Sequence, residues 1–159
     1  MEVPVPVGLT FIAIVIFFVW RIYQRKIQQI NEMPDIPQAI PVEGFKVPVL
    51  ATYSGRRGMG RHATTSHNSL NPSLTLFEDR LELRVLLSQV IRLSDIEYVD
   101  IWESLATRNL QIYVKGEEDL FTANLYNRKN LAKVLSYLKK RSVRLSADAG
   151  NFLAKNPLK

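Results

Sequence analysis

From residue 5 to residue 20 the chain reads "VPVGLTFIAIVIFFVW", without one charged side chain. With Ile22 the run approaches the roughly 20 apolar residues that a helix needs to cross about 30 Å of hydrocarbon. It is apolar all round and lacks the polar stripe of a helix that buries one face in a soluble core. Pro6 and Gly8 fall in the opening turns, where backbone donors have no helical partner anyway. A membrane-spanning helix is therefore expected over residues 5–23. Trp20 and Tyr23 suit the interfacial belt, and Arg21, Arg25 and Lys26 anchor the end of the span, whereas Glu2 is the single charged side chain ahead of it. That asymmetry predicts one crossing of a cell (inner or plasma) membrane, with the amino terminus outside and the rest in the cytoplasm. A cleaved leader would want a positive segment before the run and small residues after it. Met1-Glu2 and "FFVWRIY" supply neither.

Residues 24–44 predict a short helical extension and then a proline-rich stalk. Pro34, Pro37, Pro41 and Pro48 each remove a backbone donor and push the preceding residue toward extended conformations. Fully extended, such a stalk reaches roughly 40 Å at about 3.1 Å per residue. Its isoleucines allow a second arrangement, in which it lies along the domain and reaches less far.

Past residue 45 the period changes to two. "FKVPVLATYS" reads as a first strand, with Pro48 near its start. "SLTLFEDRLELRVL" alternates about a Glu78-Asp79 turn, which is a β-hairpin with one buried face. "VIRLSDIEYVDI" places two strands around a short turn at Ser94-Asp95-Ile96, and "NLQIYVKGEEDLFTANLY" is a second hairpin. Then Leu131, Val134, Leu135 and Leu138 fall at i, i+3, i+4 and i+7, the stripe of an amphipathic helix, with Asn127 as its N-cap. No sustained period follows Ser142, and a mobile tail is expected over residues 145–159.

This succession resembles the bacterial pleckstrin-homology family, whose members often follow a membrane segment. The resemblance covers residues 45–144 and is carried by "LTLFEDRLELRV", "VIRLSDIEYVDI", "LQIYVKGEEDLFTANLY" and "RKNLAKVLSYLKKR", most of all by "LSDIEYV". It implies an α+β domain, a bent antiparallel sheet or partly open barrel of about seven strands capped by a carboxyl-terminal helix. One amphipathic helix over the open end of a curved sheet is also a physically sound way to bury such strands.

Composition adds limits. The chain has 159 residues, 47% apolar and 23% charged, which suits one globular domain with appendages. It holds no cysteine, so disulfides, thiolate nucleophiles and cysteine metal sites are absent. A net charge of +6 favours anionic surfaces.

Chemistry was sought in "SGRRGMGRHATTSHNSLNPS", residues 54–73. Its "GMGRHA" matches a dinucleotide fingerprint, but that motif must open a helix and none is predicted there. Gly-Lys-Ser/Thr is missing. His62 and His67 lack neighbouring ligands, and Ser66 beside His67 has no sign of an oxyanion hole. No enzyme, metal or cofactor is expected. The segment is expected to be a strand-connecting loop, either a plain connector or one in which Arg56, Arg57, Arg61 and His62 meet anionic lipid or phosphate. In the resembling eukaryotic domains this loop holds phosphoinositide headgroups, but here the flanking "VLATYS" and "LTLF" carry no Lys or Arg. Asp95, Glu97, Asp100 and Glu103 are expected to be solvated on the wet face of the sheet. Trp102 stands on the same polar register, either as a partner contact or as the lid of a small cluster. The expected function is a membrane-anchored, noncatalytic adaptor facing a protein partner or the anionic membrane surface, with no nucleic acid. A structural subunit of a larger membrane complex is the alternative.

Overall fold

The computed structural model describes residues 5–58, 64–104 and 107–158. Helix α1, Val5–Asn31, runs without a break through the apolar stretch and the basic turn that follows it. Its apolar side chains, among them Leu9, Phe11, Phe17 and Trp20, are exposed, and nothing in the domain covers them. Contact with the domain begins at Lys26, whose Nζ donates to Ser69 O, and Ile30 in the last turn is buried.

Nine strands follow among the described residues. Four of them, β1 (Phe45–Val47), β4 (Ser73–Leu76), β5 (Arg80–Arg84) and β6 (Ser88–Arg92), form one antiparallel sheet in the order β1-β4-β5-β6. The other five are β2 (Ala51–Arg56), β3 (Thr64–Asn68), β7 (Ile96–Ser104), β8 (Thr107–Val114) and β9 (Asp119–Asn124), in the order β3-β2-β9-β8-β7. No ladder joins the two sheets into a closed barrel among the described residues. Alternation puts Leu74, Leu76, Leu81 and Leu83 of the first sheet and Val99, Leu110, Ile112 and Ala123 of the second into one core.

The expectation of about seven strands in one bent sheet is corrected in two places, each with a local cause. Pro48 cannot donate to a ladder, so the run read as one strand over residues 45–54 splits into β1 and β2, which belong to different sheets. The second break falls at residues 69–72. Asn68 accepts from Asn71 N through Oδ1 (3.0 Å) and donates to Asn71 O through Nδ2 (3.0 Å), an Asx turn that Pro72 then prevents from rejoining the strand. The stretch expected to be wholly a connecting loop therefore contains β3 and the start of β4, and residues 59–63 lie outside the described residues.

Helix α2, Arg128–Lys140, begins at Asn127, whose side chain accepts from Asn130 N. Its stripe of Leu131, Val134, Leu135 and Leu138 is wholly buried against the sheets. The tail is also corrected, because helix α3, Ala147–Lys155, follows it. Val99 N donates to Arg144 O and Ser146 N to Val99 O, which lays residues 144–146 along the edge of β7. Ser146 caps α3, and Ala149 and Phe152 are buried on α2 and β7.

The stalk does not extend as a spacer. Met33 and Ile40 are buried in the core and Ile36 packs against it, so residues 32–44 form a strap across α2. Gly44 closes the strap at φ +81°, with its N–H donating to Pro41 O at 2.8 Å.

Candidate functional site

The strap and α2 face each other through polar groups. Asn130, Lys133, Tyr137 and Arg141 lie at i, i+3, i+7 and i+11, a second stripe of α2 beside the apolar one. Asn130 Nδ2 donates to Ile30 O (2.6 Å), and the buried Lys133 Nζ donates to Met33 O (2.8 Å) and pairs with Asp35 (2.9 Å). Arg141 donates to Gln38 O (3.2 Å) and pairs with Glu78, while its guanidinium lies 4.0 Å from the centre of the Tyr137 ring. Tyr137 Oη donates to Phe77 O. The strap residues and α2 enclose a cleft of about 760 Å³, to which the exposed Lys129 and Lys140 add positive charge.

The titratable groups here follow from those contacts. Hydrogen bonding and charge from Lys133 hold the Asp35 carboxyl below its ordinary range. The Ile40 backbone N–H, which donates to Glu78 at 2.6 Å, and then Arg141 do the same for Glu78. Burial pushes the Tyr137 hydroxyl up, so it remains a donor. The donors that line the cleft are thus engaged within the protein, and the exposed Lys129 and Lys140 are the cations it offers to solvent. No cluster of metal-ligating side chains occurs among the described residues.

Of the expected anion contacts, Arg56 and Arg57 lie among the described residues, and they differ in their surroundings. Arg56, at the end of β2, is exposed. Arg57 is turned inward: Nη1 meets Glu97 at 2.7 Å, Nη2 donates to Val114 O, and the guanidinium lies 5.3 Å from the centre of the Tyr113 ring. Tyr113 stacks on Tyr98 with ring centres 4.3 Å apart, and burial and then the Tyr98 neighbour raise its pKa. Arg61 and His62 lie outside the described residues. His67 stacks on Tyr53 across the β2–β3 ladder.

The acidic run is engaged rather than simply solvated. Glu97 holds Arg57, Asp100 accepts from Ser146 Oγ, and Glu103 pairs with Arg108 and Arg128. Trp102 is partly exposed on β7, opposite Asn109, whose side chain donates to the Trp102 carbonyl (3.2 Å). Trp20, Arg21, Tyr23 and Arg25 are exposed on α1, and Lys26 donates to Ser69 O (2.6 Å).

The α2–strap clamp was missed in the sequence. The signal was present: four polar residues capable of donating, spaced on one helical stripe, had no stated use.

No protein-family model matches the chain, and no curated protein is similar to it. Among solved structures the chain is similar to the pleckstrin homology (PH) domain of USP37. The identity is 14% and the TM-score 0.38, over 57% of this chain and 94% of that one.

Proposed function

We propose that this chain is a single-span membrane protein that presents a PH-like domain in the cytoplasm as a noncatalytic binding module. The observation that carries this reading is α1 itself. Residues 5–23 rise roughly 28 Å at about 1.5 Å per residue, close to the thickness of the hydrocarbon layer, and residues 9–23 are all exposed. Its last turn, by contrast, is gripped by Asn130. Arg21, Arg25 and Lys26 at the domain side support the cytoplasmic orientation. The PH-like assignment is supported by the order of elements, strands first and the capping helix α2 after them. The ligand is a protein partner or the anionic leaflet, met through the cationic cleft and Arg56.

Protease treatment of intact cells tests the topology: the domain is expected to be protected, and its cleavage from outside would overturn the reading. A second reading is favoured by one feature, the outer edge of β6, which pairs with no strand among the described residues and could accept one from a neighbour. In that case the chain is a subunit of a membrane complex. Purification in mild detergent separates the two, since a stoichiometric companion favours the subunit and a lone chain favours the module.

A further inference from the structure

Three large apolar side chains stand bare at one corner of the domain. Leu70, in the Asx-turn corner between β3 and β4, is 93% exposed, and Leu86 and Leu87, in the turn between β5 and β6, are 68% and 75% exposed. The two turns are neighbours. Asn68 Nδ2 lies 3.4 Å from Arg84 O, Thr52 Oγ1 donates to the same carbonyl, and the ladder pairs Ser73 with Arg84. Single exposed leucines are ordinary, but three on adjoining tips form the kind of patch that marks an interaction surface.

The tether indicates what covers this patch. Lys26 Nζ donates to Ser69 O at 2.6 Å and lies 3.5 Å from Leu70 O. Lys26 follows the belt residue Trp20 by less than two helical turns, so it stands roughly 9 Å further along the axis at about 1.5 Å per residue. That is close to the depth of one headgroup layer, roughly 5–8 Å on either side of the hydrocarbon. The Ser69–Leu70 peptide is therefore held near the outer level of the headgroups. Charge agrees with this placement. Neither residues 64–77 nor residues 83–94 include an Asp or Glu, while Arg84 and Arg92 are exposed on the same hairpin. Glu82, which stands opposite Val90, is paired with Arg80.

We infer that Leu70, Leu86 and Leu87 form a membrane-inserting tip, seated between the headgroups and acyl chains of the leaflet from which α1 emerges. The inference rests on the spanning reading proposed above. The occupant is lipid rather than a protein, because the corner is fixed beside the emerging helix and the charged side chains next to it among the described residues, Lys26 and Arg84, are basic. Interfacial apolar side chains with a cationic rim are the combination that binds this layer.

The chain has no cysteine, so single labels can be placed cleanly. Full-length protein carrying Leu86→Cys, Asp79→Cys or Phe18→Cys is labelled with an environment-sensitive nitrobenzoxadiazole dye. It is then reconstituted into vesicles of equal parts phosphatidylcholine and phosphatidylglycerol that contain a spin-labelled lipid quencher. Position 79 lies at the opposite end of β5, roughly 17 Å away at about 3.4 Å per residue. The label at position 86 is expected to shift to the blue and to be quenched severalfold more than the label at 79, and nearly as strongly as the label at 18. Strong quenching at 18 with an aqueous label at 86 overturns the tip and leaves the span standing. A label at 86 that is shielded but not quenched by lipid also overturns it, because a protein then covers the patch. An unquenched label at 18 overturns the spanning reading, and the tip with it.

Discussion

The side-chain amide of Asn130 donates to the carbonyl of Ile30 at 2.6 Å, joining residues one hundred positions apart and closing the last turn of α1 onto α2. Ile30 and Asn130 are each 1% exposed, so neither group has water as a substitute. Asn130→Ala strands that carbonyl and is expected to destabilise the domain by about 1–3 kcal/mol. Urea denaturation of the detergent-solubilised chain measures the loss. Hydrogen exchange is expected to accelerate first in the last turn of α1.

Lys133 and Asp35 make a lopsided pair, because the lysine side chain is 4% exposed and that of the aspartate 92%. Asp35 remains hydrated without its partner, whereas Met33 O, to which Lys133 also donates, does not. Lys133→Met is therefore expected to cost about 1–3 kcal/mol, through the orphaned carbonyl. Asp35→Asn keeps an oxygen that accepts from Lys133 and should cost measurably less than Lys133→Met. Equal losses in thermal melts of the two variants would contradict this division.

Acid should loosen the strap. Asp35 and Glu78 both have folded pKa values held below their ordinary range, by Lys133 in one case and by Ile40 N–H and Arg141 in the other. A depressed carboxylate contributes its full stabilisation above the unfolded pKa and loses it as pH falls through the folded one. The melting temperature is expected to be level from neutrality to about pH 5 and to fall below about pH 4. Glu78→Gln removes part of that slope, which a pH series of melts on both proteins would resolve.

Arg56 and Arg57 are adjacent in sequence and opposite in role. Arg57 ties β2 to Glu97 and Val114, so Arg57→Ala is expected to cost about 1–2 kcal/mol after allowance for partial exposure. Arg56→Ala should lie within about 0.5 kcal/mol of the parent, as for other exposed sites. In vesicle flotation of residues 27–159, which lack the span, the order should reverse, with Arg56→Ala weakening recovery on anionic lipid and Arg57→Ala leaving it nearly unchanged.

Gly44 admits no side chain. At φ +81° a Cβ would lie 2.5 Å from Thr75 Cγ2 and 2.8 Å from the Phe77 ring. Gly44→Ala combines left-handed strain with overlap and is expected to cost at least about 2 kcal/mol. A melting temperature equal to that of the parent would show that the strap can shift.

What was legible in the sequence divides by the range of the cause. The α2 stripe, the Asn127 cap, the Glu78-Asp79 turn and the turn at 94–96 are set by neighbours a few residues apart, and they stand where periodicity put them. Pro48 falls near the start of what reads as a single strand, and no local pattern tells that the chain changes sheets there, since that depends on which distant strand each half pairs with. The folding of the strap onto α2 and the rotation of Arg57 toward Glu97 are contacts across tens of residues, which no local pattern encodes. Helix α3 lies between these cases. Ser146, Ala149, Phe152 and Leu153 carry a cap and a short apolar stripe, but the stripe is only one turn long, too brief for a period to stand out.

A continuous helix gripped at its final carbonyls and laced down by a buried lysine makes a stiff coupling between span and domain. Torque is the quantity such a coupling transmits. If α1 spans a bilayer as proposed, a neighbour that rolls it about its long axis swings the cleft and Trp102 through the same angle.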